Sequence, residues 1–313
     1  MVRFLYKSIV QLRNFLYDIK IFKVYKSSIP IISVGNLTVG GTGKTPFVLF
    51  LINYFLKNNL SPLVVSRGYG RTSKGQIVVH SGTTHTVQDI GDEPCLINKN
   101  FPEIDIIINH KRVEAVKWAE RSQKKYDVII LDDGYQHRSI FRNLNILLIN
   151  GHQNHTSLLP GGDLREPLEN ISRADCVVLT KGSLDSKMKN ILSKIKKPMY
   201  STKEVFSKSN IKYNMGISFC GIGDPDSFKE TLNKLSINII KSLQFKDHQN
   251  YSSSIIKKIE ESLKKTNQNT FFTTEKDWVK LPNDFIKKYN GCYIKMETCI
   301  EDESFYTIMN NSL

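Results

Sequence analysis

The chain has 313 residues, 40% of them hydrophobic and 24% charged, which suffices for one large or two modest cores and excludes a fibrous or low-complexity polymer. A formal net charge of +14 points to an anionic partner, whether nucleic acid, an anionic membrane face or a phosphorylated substrate, although lysine runs such as Lys196-Lys197 and Lys257-Lys258 also read as solvated helix faces. Five scattered cysteines without paired spacing, and the lack of a signal-peptide pattern or of an apolar run long enough to cross a bilayer, fit a reducing cytoplasm and no structural zinc.

Residues 1–28 open the chain with Phe4, Leu5, Ile9, Leu12, Phe15, Leu16 and Ile19 at helical spacing, interleaved with Arg3, Lys7, Arg13, Lys20, Lys23 and Lys26. An apolar stripe beside a basic one suits a helix lying in an anionic lipid interface; it also suits a terminal helix packed on its own domain. From Pro30, short β-branched runs at 31–34, 63–66, 104–108, 128–131, 146–149 and 176–180 read as buried strands. Helices are expected after Lys44, over Val113 to Arg121 and after Leu184. This alternation predicts a mostly parallel sheet covered on both faces, with ligands at the carboxyl ends of its strands. The rhythm restarts after Tyr200, with strands at 215–220, 237–243 and 270–273 and helices after Ser227, Tyr251 and Glu275. A boundary near Val205 therefore divides a core of residues 29–204 from a smaller α/β unit of residues 205–313.

The first strand runs into Gly35-Asn36-Leu37-Thr38-Val39-Gly40-Gly41-Thr42-Gly43-Lys44-Thr45 and then an apolar helix. Glycines let backbone N–H groups curl around β- and γ-phosphates, Lys44 supplies a mobile positive charge, and Thr45 offers a hydroxyl to Mg²⁺. The strict pattern has glycine where Thr38 stands, so this is a variant loop. The strand at 128–131 ends in Asp132-Asp133, the carboxylates expected to hold magnesium through its water shell. Further loops after strands carry Ser66-Arg67-Gly68-Tyr69-Gly70, Gly91-Asp92-Glu93-Pro94, Gln136-His137-Arg138 and Gly162-Asp163-Leu164-Arg165-Glu166-Pro167. Any one of these reads equally well as a turn or helix cap; their clustering favours a site.

Taken in order, GNLTVGGTGKTP, SRGYG, GDEP, DDGYQHR, LPGGDLREP, FKDH and TEKDWVKL resemble the tetraacyldisaccharide 4'-kinase (lipid A 4'-kinase) family over nearly the full length. The resemblance implies a P-loop NTPase-like fold and transfer of the ATP γ-phosphoryl group to the 4'-hydroxyl of a tetraacylated disaccharide 1-phosphate. It also implies work at the cytoplasmic face of a bacterial inner membrane, peripheral or monotopic, and so favours the membrane reading of the first helix. Asp92 then aligns with the catalytic carboxylate and His248 with its partner, with Lys44 and Asp133 as further catalytic groups. ATP lies on Thr38, Val39, Gly40, Gly41, Thr42, Gly43, Lys44 and Thr45, and Mg²⁺ on Thr45, Asp132 and Asp133. Contacts to substrate or phosphate are implied for Asn36, Tyr69, Glu93, Arg112, Gln136, His137, Arg165 and Glu166.

Because Asp92 and His248 fall on opposite sides of the expected boundary, domain closure is expected to assemble the pair. Thr274-Glu275-Lys276-Asp277 reads as a helix start. Tyr135, Gly162-Asp163, Lys246 and Gln249 depart from the family pattern without touching the loop lysine, the Asp pair or Asp92. The alternative is a membrane-associated regulatory ATPase of the partitioning type, which shares variant loops but needs no sugar-lipid site. No nucleic-acid motif accompanies the charge, and a monomer is expected.

Overall fold

The structure is a computed structural model that describes residues 2–83, 85–153, 157–207 and 211–313. Eight strands build the larger sheet: β1 (Ile31–Asn36), β2 (Pro62–Ser66), β3 (Ile77–Val79), β4 (Asp105–Ile108), β5 (Val128–Asp132), β6 (Leu144–Asn150), β7 (Cys176–Lys181) and β8 (Met199–Ser201). Their spatial order is β3-β4-β2-β5-β1-β6-β7-β8, and every pair is parallel except β3 with β4. Successive residues of each strand point to opposite faces and both faces are covered, which is why the sequence runs are continuously apolar. Ile32, Val34 and Ile130 pack with Phe47, Val48 and Leu51 of helix Lys44–Lys57 on one face. Ile31, Ile129 and Leu131 meet Ala115 and Val116 of helix Arg112–Arg121 on the other.

Strand order reverses at β1. The chain leaves β1 toward β2 and β4, returns at β5, and then continues on the opposite side through β6 and β7. Connections therefore diverge from the carboxyl end of β1 and open a crevice there. The loop with the glycines begins at that point.

Five strands form the smaller sheet: β9 (Lys203–Ser207), β10 (Met215–Cys220), β11 (Asn238–Gln244), β12 (Thr270–Thr274) and β13 (Asn290–Cys299), in the order β11-β10-β12-β13-β9. Only β9 runs antiparallel to its neighbour. The expected boundary near Val205 lies inside β9. Residues 205–313 do not all stay with this sheet, because helix Glu303–Asn310 returns to the larger unit and buries Phe305 and Met309 in the core that holds Phe47 and Phe55. Phe305 and Met309 are four residues apart and so share one face of the helix, which gives it a partner to seek. The strands β3, β8, β9 and β13 had no counterpart in the sequence reading.

The opening helix spans Val2–Asp18 rather than all of residues 1–28. It ends where Lys20 takes a left-handed φ of 60°, and the chain beyond is tied down by Glu120, whose carboxylate accepts from Tyr25, Ser27 and Ser28. Val10 and Asn14 are buried, while Phe4, Leu5, Ile9, Leu12 and Phe15 are all more than half exposed.

Candidate active site

The loop after β1 is braced from below. Asn36 is fully buried, and its amide donates to the Thr38 carbonyl and to Thr42 Oγ1, each at 2.8 Å. Thr38 is also buried; it bridges to Leu164 in an extended conformation, and its hydroxyl donates to Gln153 Oε1 at 2.7 Å. No positive φ is needed at this position, so threonine serves where the strict pattern has glycine. Gly43 does need it: φ is 75°, and its left-handed turn starts helix Lys44–Lys57 with free backbone N–H groups facing the loop. Lys44 Nζ rests 3.4 Å from Asn36 Oδ1 and 3.6 Å from Asp133 Oδ1.

A cluster of carboxylates lies beneath this helix start. Asp132, at the end of β5, accepts from Ser66 Oγ at 3.0 Å. Burial, then the neighbouring charges of Glu93 and Asp133, push its carboxyl up to about 7. Glu93 Oε1 in turn accepts from Thr45 Oγ1 at 3.4 Å. Asp133 behaves in the opposite way. Burial opposes its ionisation, but Lys44, Arg165 and Arg112 outweigh that and hold it below the usual carboxylate range. One Arg165 nitrogen lies 2.9 Å from both Asp133 oxygens, and Arg112 donates to the Asp133 carbonyl at 2.8 Å. A buried carboxylate kept from ionising by like charge, beside a hydroxyl and a triphosphate loop, fits a hard divalent cation shared with phosphate oxygens and water. Among the described residues no three His, Cys, Asp or Glu side chains form a ligand cage of their own.

The third group forms between the two sheets. Gly91, with φ 91°, precedes helix Asp92–Asn100, and a Cβ there would fall 2.7 Å from the Tyr69 carbonyl. That close approach seats Asp92 at the helix start, where Oδ1 accepts the Glu93 N–H at 3.0 Å. His248 Nδ1 lies 2.7 Å from Asp92 Oδ2, and Lys276 Nζ lies 3.6 Å from the same oxygen. Burial raises the Asp92 carboxyl, but His248 and Lys276 outweigh it and bring it down to about 2. His248 takes a left-handed φ of 56°, and its ring packs 5.2 Å from that of Tyr69.

One cavity of about 1110 Å³ connects these groups. Val39 to Thr45, Asp132, Asp133, Glu93, Tyr69, Arg112, Gln136, His137, Arg165, Glu166 and His248 line it. Asn36, Thr38 and Asp92 do not, the first two because they support the loop from beneath and Asp92 because His248 covers it. Among the expected contact residues, Gln136 donates to the Asn36 carbonyl at 2.8 Å. Burial and four surrounding arginines drive His137 down to about 4, so its imidazole is neutral at physiological pH. Glu166 is nearly inaccessible: Arg13 at 2.9 Å, Asn14 at 3.3 Å, Asn170 at 2.7 Å and Arg173 all engage its carboxylate. Its partners make it an anchor for the opening helix, whereas the family resemblance implies a contact to substrate or phosphate.

Arg13 and Lys276 also face the cavity and were missed as site residues. Lys276 lay within a motif explained as a helix start. That explanation holds, since Thr274 Oγ1 accepts the Asp277 N–H at 3.1 Å, and it masked the charge beside it.

Known proteins resemble this chain over nearly its whole length. A family model described as tetraacyldisaccharide-1-P 4'-kinase (LpxK) matches residues 1–313. The tetraacyldisaccharide 4'-kinase of Chlorobium phaeobacteroides is 37% identical, with 93% of this chain and 90% of the relative covered. That of Chlorobaculum parvum is 36% identical, covering 90% and 82%. A crystal structure of the "apo" form of LpxK from Aquifex aeolicus in complex with ATP matches with a TM-score of 0.80 and 31% identity, over 99% of this chain and 97% of that one. With a family model matching the whole length and relatives above 30% identical over nine-tenths of it, the chain belongs to the tetraacyldisaccharide 4'-kinase family.

Proposed function

We propose that this protein transfers the γ-phosphoryl group of ATP to the 4'-hydroxyl of tetraacyldisaccharide 1-phosphate, a step of lipid A biosynthesis, as a monomer at the cytoplasmic face of the inner membrane. The observation that carries this reading is the cavity lined together by the glycine loop, by His248 with Asp92 hydrogen-bonded behind it, and by Tyr6, Val10 and Arg13 of the opening helix. ATP occupies the loop, with its phosphates on the backbone N–H groups from Val39 to Thr45 and on Lys44. Thr45, Asp132 and Asp133 would hold Mg²⁺, which when bound neutralises charge on the phosphates.

Asp92 accepts the hydroxyl proton. A carboxyl held near 2 is a weak base, but in a loose phosphoryl-transfer transition state the attacking oxygen loses its proton late, once bonding to phosphorus has made that proton acidic. The new O–P bond forms as the bridging bond to ADP breaks, and the electron pair leaves with ADP. His248 orients the carboxylate. The two sit on opposite units of the fold and touch already, so we assign domain motion to substrate entry and product release.

The opening helix supports delivery of a lipid. Tyr6, Val10 and Arg13 line the cavity, while Phe4, Leu5, Ile9, Leu12 and Phe15 point outward beside Arg3 and Lys7. No helix among the described residues is long and apolar enough to cross a membrane, so the helix lies in the interface and presents the headgroup to the cavity. Arg13, Arg67 and Arg112 suit the acceptor phosphate. Nothing favours the regulatory ATPase, which has no use for the Asp92–His248 pair.

Radiolabelled phosphate transfer from ATP to the disaccharide 1-phosphate lipid tests the reaction; ATP turnover indifferent to lipid would defeat it. For the membrane, Ile9→Glu with Leu12→Glu is expected to abolish co-sedimentation with anionic vesicles and leave the cavity face intact. Undiminished co-sedimentation would move the lipid contact elsewhere.

A further inference from the structure

The smaller sheet has a switch point of its own. The chain leaves β10 for β11 on one side and returns at β12 on the other side of β10, so the loops that follow β10 and β12 part over a crevice at the carboxyl ends of these strands. The loop after β11 crosses to the same place. From the three loops Gly223, Asp224, Asp247, His248, Thr274 and Lys276 line the cavity. Behind them the crevice is filled by an ion pair: Asp277 is fully buried, the Lys280 side chain is 5% exposed, and Lys280 Nζ stands 3.0 Å from Asp277 Oδ1.

The other Asp277 oxygen ties the loops together. Oδ2 accepts from the Gly221 N–H, just after β10, at 2.9 Å and from Thr274 Oγ1, at the end of β12, at 2.7 Å. The loop after β11 lies on Gly221 itself: a Cβ there would fall 2.8 Å from Gln249 Cβ and 3.1 Å from the Lys246 carbonyl, so the backbone carrying Asp247 and His248 takes its height from Gly221. That loop runs on to buried Tyr251, the centre of whose ring is 5.5 Å from Lys280 Nζ. Two residues beyond Gly221, Gly223 closes on the phosphate loop, where a Cβ would be 3.2 Å from the Gly41 nitrogen. Replacing a buried ion pair by apolar side chains of similar size is often neutral for stability, but apolar side chains could not hold the Gly221 N–H and the Thr274 hydroxyl at fixed points.

We propose that Asp277 and Lys280 are positioning residues of the transfer site, a buried ion pair that sets the register of the three loops of the smaller unit against the phosphate loop. Its consequence for turnover rests on the kinase reading; the ordering of the loops does not.

In the full-length protein two double variants separate position from stability. Asp277→Asn with Lys280→Met keeps an acceptor for the Gly221 N–H, and Asp277→Leu with Lys280→Met does not; neither leaves a buried charge, so their melting temperatures are expected to agree. Hydrogen exchange at Gly221 and over residues 245–251 is expected to quicken about tenfold in the leucine variant and to keep the wild-type rate in the asparagine variant. The leucine variant lowers kcat by about 10- to 100-fold with KM for ATP unchanged, and the asparagine variant stays within about threefold of wild type. A role in stability alone would give the two variants the same kcat, which overturns the proposal. Should the leucine variant fold poorly, Gly221→Ala carries the same readouts over residues 245–251: Gly221 needs no left-handed φ, so the substitution acts through its contact with Gln249. Wild-type exchange in a folded leucine or Gly221→Ala variant would also overturn the proposal. Wild-type protein that fails to phosphorylate the lipid counts against the kinase reading alone, because hydrogen exchange uses neither ATP nor acceptor.

Discussion

Asp92 and Asp132 are the same side chain, almost equally buried at 5% and 3% exposure, and their environments drive them apart. Asp92 starts a helix and faces His248 and Lys276, which hold it near 2. Asp132 ends a strand and faces Glu93 and Asp133, which with burial hold it near 7. Burial alone raises both, so the sign of the neighbouring charge decides. A carboxylate beside positive charge stays ionised and is only weakly basic, and one surrounded by anions is incomplete until a cation arrives.

The sharpest break would come at Asp92. Asp92→Asn is expected to lower phosphoryl transfer by about 10²- to 10⁴-fold while nucleotide binding, read by calorimetry, stays intact; near-normal turnover would end its assignment as the base. The same change is expected to cost about 2 kcal/mol of stability at neutral pH, the value of the depressed pKa.

Asp132→Asn is expected to act in both directions. Transfer falls about 100-fold as the metal contact is lost, yet the metal-free protein gains up to about 4 kcal/mol in denaturant melts at pH 8, because an uncompensated buried charge has gone. A destabilised variant would mean that the carboxylate is already paired.

The pH dependence of wild-type stability carries the contrast more finely. For Asp132 the folded pKa lies above the unfolded one, so between about pH 4 and 7 the folded state keeps a proton that the unfolded state has released, and stability falls as pH rises through that window. Mg²⁺ is expected to flatten this slope. For Asp92 the folded pKa lies below the unfolded one; its contribution is complete above about pH 4 and is lost toward pH 2. The smallest effect is expected from Glu93→Gln, which removes one of the anions near Asp132 and shifts the upper window down by less than about one pH unit in metal-free protein.

Much of this was legible in the residues. The strands at β1, β2, β5, β6 and β7 read out as apolar runs because both faces of a parallel sheet are buried, and the loop declared itself by its strand, glycines and lysine. The strand β13, with Lys295, Glu297 and Thr298 among its apolar residues, gave no such signal, since it is buried only in part. Glu166 shows the limit for the site: its motif placed it correctly at the cavity, but nothing local says that Arg13 and Asn14, some 150 residues earlier, would saturate it.

The contrast between Asp92 and Asp132 marks where sequence ends and tertiary structure begins. Order along the chain determined the phosphate loop, the carboxylates after the strands and the amphipathic opening helix, because each depends on spacing within a single element. Only the folded chain decided that Lys276 and His248 reach across to Asp92, that Glu93 faces Asp132, that Phe305 and Met309 find a core while Phe4, Leu5 and Ile9 do not, and that one cavity joins the glycine loop to His248 and Arg13. Those outcomes depend on charges and apolar faces from distant segments meeting at one place, and Coulomb interaction and burial are set by distance in space.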